Sequence, residues 1–389
     1  GVHVTFAPMV DVVRDPRWGR VMESPGESPA LCAAMGAAMV RGTRGEDISA
    51  PDRIAACAKH FVGYGISQAG QDYAPIDVSH TELYNTYLPP FQACVDAGVD
   101  MVMPAFVGVD RVPCVCNEWL LKDILRGRMG FEGMIISDWD DPRQLIAHGV
   151  AEDQREVAQL CLNAGLDMDM MSFAYLTELA DLVREGKVDE AKLDAACLHV
   201  LELKNNLGLF DNPVKNDSDD VQRAVCNDPE IHKAVYEAAI KSCVLLKNDG
   251  TLPLNPEMKI ALIGPGADTT QLGDYTPLSA ATRAVSIRSA LETRLGENLI
   301  WEKGCSIAFG TDEGLRRAVR AAESADAVVL VLSDNSSSFG GVGWGDENVS
   351  EKPVTTCGEG FDVHDLKFPA CQEALFDKII AVGKPVILV

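Results

Sequence analysis

Short apolar runs alternate with amphipathic segments along the first two hundred or so residues. Strands are predicted at residues 4–7, 54–60, 101–106, 134–138, 166–170 and, more briefly, 148–151. Helices are predicted between them at 28–41, 81–97, 117–128 and 152–164. A βα repeat of this kind builds a parallel sheet. Several of the runs end in polar residues: Lys59 and His60, then Ser137 and Asp138, then Asp167 and Asp169. Buried strands with functional groups at their carboxyl ends are the habit of a (β/α)8 barrel. An open doubly wound sheet places its site in the same way, so the pattern alone does not separate the two.

A further helix starts behind Asp189 as N-cap, with Leu193, Ala196, Cys197, Val200 and Leu201 at helical spacing, and ends before Gly208. The stretch FDNPVKNDSDD that follows is dense in Asp, Asn and Pro and reads as a boundary. The division expected is therefore a catalytic barrel over 1–209, a linker over 210–222 and an α/β sandwich over 223–389. In the second part a helix through 235–241 precedes the strand of KIALIGPGAD. A helix at 313–323 precedes the strand 327–332, and a helix at 370–381 precedes 386–389. The long polar stretch 333–365 carries Asp346, Glu347, Glu351, Glu359 and Asp362; a loop of that length is usually functional.

The 389 residues are 47% hydrophobic and 24% charged, a globular composition that excludes disorder as the main state. With 34 Lys and Arg against 58 Asp and Glu, the net charge is −24 and no basic patch is visible, which argues against a nucleic-acid partner. No apolar run approaches the ~18 residues of a membrane span. The 12 cysteines are dispersed without a CxxC pair, and neither they nor the seven histidines have zinc-ligand spacing. Free thiols and no metal are expected. The opening GVHVTFAPMVDV shows no initiator Met or leader, and the closing GKPVILV reads as an unfinished strand, so truncation at both ends is expected.

Nucleotide chemistry finds little support: the GPG of Gly264–Gly266 lacks a third glycine, where Thr269 stands, and reads as a tight turn. There is no phosphate loop and no GxSxG elbow. Lys59 and His60 are placed to donate hydrogen bonds to a polyhydroxyl substrate, although a Schiff-base lysine or a purely structural pair fits the same spacing. In SDWD, Asp138 beside Trp139 suits sugar chemistry, since a flat ring packs on a pyranose and a carboxylate can attack an oxocarbenium-like centre. A helix-capping role for Asp138 is the competing reading.

Seven motifs carry a resemblance. FAPMVDVVRDPRWGR (6–20), AKHFVGYG (58–65), GFEGMIISDW (130–139), NAGLDMDM (163–170), KSCVLLKNDGTLPL (241–254), IALIGPGAD (260–268) and GEGFDVHDLKFP (358–369) occur in the order found in glycoside hydrolase family 3. The chain resembles the bacterial β-glucosidase branch over nearly its whole length. The resemblance implies a TIM-type (β/α)8 barrel, here lacking its first strands, followed by an α/β sandwich. It further implies a retaining, exo-acting β-glucosidase with Asp138 as nucleophile, with Arg20, Lys59 and His60 on the glycone, and with Trp139 walling the sugar. The acid/base comes from a variable loop in this family; Glu359 fits best, while Glu347 and Glu351 remain alternatives. A retaining enzyme needs that carboxyl ~5–5.5 Å from the nucleophile.

This chain departs from the family's pattern in places. Gln71 stands where a Lys or Arg is common, the segment 103–113 lacks an Asn after its aromatic, and Tyr64 occupies the neighbourhood of the histidine of the β-N-acetylglucosaminidase branch. These changes leave a β-xylosidase, a mixed-specificity enzyme or a catalytically silent sugar-binding protein as alternatives. No cofactor is expected. The expected partner is a small oligosaccharide or an aryl or alkyl glycoside, with neither nucleic acid nor membrane. The acidic surface and unpaired thiols lean toward a cytoplasmic location, with the periplasm as the alternative.

Overall fold

The computed structural model describes residues 2–215, 218–270, 272–273, 275–276, 284–336 and 354–389. Two compact units result: one made of 1–16 and 21–233, the other of 17–20 and 234–389. The short run Arg17–Arg20 therefore belongs to the second unit although it lies near the start of the chain.

The first unit holds a parallel sheet of β1 (Val4–Thr5), β2 (Ala55–Phe61), β3 (Met101–Pro104) and β4 (Met134–Ile135), paired in that order. A parallel bridge from Ile136 to Met168 continues the series by one position. Neighbours in the sheet are thus neighbours in the βα repeat, the order of a barrel, whereas a doubly wound sheet reverses its order part-way. The small residues of β2, AACA, let helices approach closely from outside. Helix α1 (Pro29–Arg44) and helix α2 (Leu88–Asp96) pack together there, with Gly36 so tight that a Cβ would lie 2.8 Å from Cys94 Sγ. On the other face, Ala55, Cys57, Met101, Met103, Met134 and Ile136 form one apolar cluster with Leu203 and Leu207. Alternate residues of each strand thus fill the inside, as the period of two requires.

Most of the predicted helices form. Ser28 caps α1 through Leu31 N, and Asp189 caps α7 (Glu190–Asn206) through Ala191 N. Between them lie α3 (Trp119–Arg128), a π-type helix, α4 (Asp141–Ala147), α5 (Gln154–Ala164) and α6 (Ala174–Arg184). The short strand expected at 148–151 does not form. Those residues finish α4: Gly149 turns at φ +70, and the amides of Val150 and Ala151 both donate to Leu145 O. Of these residues only Ala151 is buried, while His148, Gly149 and Val150 stay exposed, so the segment has too little apolar surface to hide to need a place in the sheet. The run 166–170 likewise contributes one bridge, at Met168, rather than a strand.

After α7 the chain forms α8 (Asp219–Cys226) and α9 (Pro229–Ser242). The second unit is a parallel sheet of β5 (Ile260–Ile263), β6 (Leu299–Glu302), β7 (Ala327–Leu330) and β8 (Val386–Leu388), in the spatial order β8-β7-β5-β6. Helices α10 (Ile287–Leu295), α11 (Asp312–Glu323) and α12 (Ala370–Ile380) precede β6, β7 and β8. Strand β5 is flanked by β6 on one side and β7 on the other, so the chain crosses back over β5 between β6 and β7. The reversal between β5 and β7 is a topological switch point, where α/β sheets open a crevice beyond the carboxyl ends of their strands. Gly264, at φ +120, directly follows β5 and packs on the chain leaving β7: a Cβ there would sit 2.0 Å from Val331 O. The GPG sequence is a tight turn that the close approach of two chain segments requires.

Candidate active site

The first unit assembles its candidate groups at the carboxyl ends of β2 and β4. Strand β2 runs apolar until Lys59, which is half-buried, and His60, which is fully buried. Asp11 Oδ2 accepts from both the main-chain N–H of His60, at 3.0 Å, and its Nδ1, at 2.9 Å. With Nδ1 held by that carboxylate, the opposite ring nitrogen faces Asp138, whose Oδ2 lies 3.4 Å from Nε2. The His60 ring meets Tyr64 edge-on at 5.1 Å, and Tyr64, Tyr73 and Phe106 form an aromatic cluster behind it.

Asp138 stands three residues beyond the end of β4. Its Oδ1 accepts the Trp139 amide at 2.6 Å, and its side chain keeps 14% exposure. The turn is pinned from below: Ser137 Oγ accepts from Met170 N at 2.8 Å, and Asp140 N donates to Met170 O at 2.9 Å. Helix α4 is entered through Asp140, at φ 58, so the Asp138 carboxylate is not its cap. Trp139, next in the chain, is 44% exposed.

Not every strand-end carboxylate joins this group. Asp167 is a strut, taking hydrogen bonds from Ile135 N and Arg126 Nη2, both at 2.7 Å, and lying 2.8 Å from His199 Nδ1. Asp169 accepts from the Ser172 and Tyr175 amides. Gln71 sits at the end of the turn 68–70.

Arg20 and Glu359 come together in the second unit. Arg20 Nη1 lies 3.6 Å from Glu359 Oε1, with side chains 1% and 11% exposed, and the Tyr275 hydroxyl donates to Glu359 Oε2. Backbone pairing holds the two segments: Gly358 N donates to Gly19 O, Val363 N donates to Arg17 O, and Asp362 Oδ1 accepts the Gly19 amide at 2.7 Å. The Glu359 loop is also tied to the switch point, since Thr356 Oγ1 accepts from Asn335 N and donates to Asp334 just beyond β7. Glu347 and Glu351 lie outside the described residues. Among the described residues no group of three or more His, Cys, Asp and Glu could hold a metal ion, and no helix is long and apolar enough to cross a membrane.

Residues 1–203 match the glycosyl hydrolase family 3 N-terminal domain and residues 243–389 the C-terminal domain of the same family. The chain belongs to glycosyl hydrolase family 3. It is 34% identical to a periplasmic β-glucosidase of Salmonella typhimurium, across all of this chain and 52% of that protein. It is 37% identical to a β-xylosidase of Formosa agariphila, across all of this chain and 54% of that one. A crystal structure of a β-glucosidase from Listeria innocua in complex with glucose superposes with a TM-score of 0.89 at 37% identity, over 99% of this chain and 51% of that chain. The chain thus spans about half the length of the curated relatives it matches. Membership settles the class that the strand order already indicated, a barrel-like domain followed by an α/β domain of family 3.

Two family-3 residues of this chain escaped the reading of the sequence. Asp11 was hidden in a quoted motif; its signal was a carboxylate embedded in the apolar run Met9–Val13, which only a buried partner explains. Tyr275 carried no signal, since a lone tyrosine in a polar loop has no pattern that assigns it a partner.

Proposed function

We propose that this family-3 chain is the catalytic part of a retaining β-glycosidase that releases terminal β-D-glucosyl residues through a covalent intermediate. The observation that carries the reading is the seating of Asp138. It stands beyond the carboxyl end of a barrel strand, partly exposed, next to a buried His60 that is oriented by Asp11 and beside the half-exposed Trp139. In the proposed reaction a carboxylate oxygen of Asp138 attacks the anomeric carbon while Glu359 gives its proton to the leaving oxygen. Water then attacks the glycosyl ester with Glu359 as base, and the sugar departs with its original configuration. Arg20, Lys59 and His60 hold the glycone hydroxyls and Trp139 packs on the apolar face of the ring. Each of these side chains acts without a cofactor.

The relatives named above include both β-glucosidases and β-xylosidases, which keeps the glycone open between hexose and pentose. The substrate is a small oligosaccharide or an aryl or alkyl glycoside. The test is incubation with an activated 2-deoxy-2-fluoro-glucoside followed by peptide mapping. A fluoroglycosyl ester on Asp138 is the expected product. Labelling of a different carboxylate, or turnover preserved in Asp138→Asn, would sink the assignment. Comparison of kcat/KM for aryl glucoside and aryl xyloside then decides the glycone.

A further inference from the structure

One carboxyl next to the proposed nucleophile has no part in the mechanism above. Asp141 opens helix α4 three residues beyond Asp138 and is buried, at 2% exposure. Its amide donates to Asp138 O at 3.3 Å, while its Oδ2 is fully enclosed and has no hydrogen-bond partner among the described residues. Helix α4 packs on α5 and on the turn Cys114–Cys116. From those elements the titratable groups that face Asp141 are the thiols of Cys114, Cys116 and Cys161, and from its own turn the carboxylates of Asp138 and Asp140. No basic side chain forms an ion pair with it among the described residues, whereas Asp140 pairs with Arg143 at 2.7 Å.

An acid in such surroundings has a clear preference. Removing a carboxylate from water without a cation or donors to meet it is costly, so the group keeps its proton instead. Burial pushes the Asp141 carboxyl well above the usual range, and the negative charges of Asp138 and Asp140 push in the same direction. The turn it belongs to also carries backbone strain at Asp140, at φ 58, a conformation that persists only where its surroundings enforce it.

We propose that Asp141 is a positioning residue for Asp138: it seats the 137–141 turn in the protein interior as an uncharged acid, and so fixes the nucleophile without setting a second negative charge beside it. This rests on the reading of Asp138 as nucleophile. An ionised neighbour would oppose the build-up of a charged attacking group at neutral pH, and a smaller side chain would leave unfilled the buried space that the Asp141 carboxyl occupies beneath the turn.

The experiment uses the full-length protein and three readouts. In the infrared difference spectrum between parent and Asp141→Asn at neutral pH, the carbonyl stretch of a protonated carboxylic acid is expected in the parent; its absence overturns the proposal. Asp141→Asn, which is also uncharged, is expected to leave the acidic limb of the kcat/KM profile unmoved. A downward shift of about one pH unit, the effect of deleting a nearby negative charge, overturns it. Asp141→Ala is expected to lower kcat on the order of tenfold with KM nearly unchanged, the signature of a misplaced reacting group. Equal kcat in the Ala and Asn variants overturns the positioning role, and Asp141→Ser gives the same comparison should the Ala variant fail to fold. The infrared band needs no turnover, so it stands or falls separately from trapping of Asp138.

Discussion

At His60 one buried carboxylate satisfies two donors at once, which makes Asp11 the most economical target in the molecule. Replacing it with Ala leaves the His60 main-chain N–H and Nδ1–H buried without their acceptor, at about 1–3 kcal/mol each. The expected result is a loss of about 2–6 kcal/mol in denaturant unfolding. Asp11→Asn retains one acceptor oxygen and is expected to lose less stability. It also loses the carboxylate that dictates the ring's tautomer, so kcat is expected to fall more than stability does. Kinetics and urea melts on the two variants check this: equal stabilities would mean that the His60 donors find other acceptors. The motif containing Asp11 was visible in the sequence, but its role was not. A carboxylate in an apolar run signals only that a partner exists, and the partner stands 49 residues away.

Among the elements, the segment Arg17–Arg20 and the loop carrying Glu359 are paired through their backbones with no room to spare. A Cβ on Gly19 would lie 2.0 Å from Gly358 O and 2.6 Å from Phe361 O. Gly19→Ala is therefore expected to push the 358–361 loop away from Arg17–Arg20, disturbing the Arg20 pairing with Glu359. On the proposed mechanism this lowers kcat on the order of a hundredfold for substrates with poor leaving groups, which need the acid, and less for activated aryl glycosides, which do not. A uniform loss across leaving groups would count against Glu359 as the acid. The glycine's requirement here is a close approach of two chain segments, since its φ is not among the positive ones. From the letters alone, the DPRWGR motif carries a family resemblance, and nothing local shows which distant loop it touches.

For the whole molecule, the thiols divide by environment. Cys94 and Cys114 are buried and pushed up to about 12, and burial raises Cys57 and Cys161 as well, whereas Cys197, Cys226 and Cys243 are exposed. Since the thiolate is the reactive form, brief alkylation of the native protein at mildly alkaline pH is expected to modify the three exposed residues and spare Cys57, Cys94, Cys114 and Cys161. Peptide mapping before and after denaturation reads the pattern; early labelling of Cys94 or Cys114 would mean that the barrel helices open readily. The alternation of strands and helices, the cap at Asp189, and the tight turn at Gly264 were all determined by the chain itself. Strands buried on both faces need unbroken apolar runs, caps need an oxygen at one position, and a left-handed turn needs glycine. The fate of short runs such as 148–151 was not determined this way, because so few apolar side chains are satisfied by a helix end with one buried alanine as readily as by a strand. Nor was the choice between barrel and doubly wound order, which depends on which strands pair, or the separation of Asp167 from Asp138, which depends on Arg126 and His199 arriving from other helices. Local pattern reports what each segment can bury. Only the tertiary structure decides which partner it finds, because hydrogen bonds such as Gly19 to Asp362 join residues 343 apart, and no local preference reaches that far.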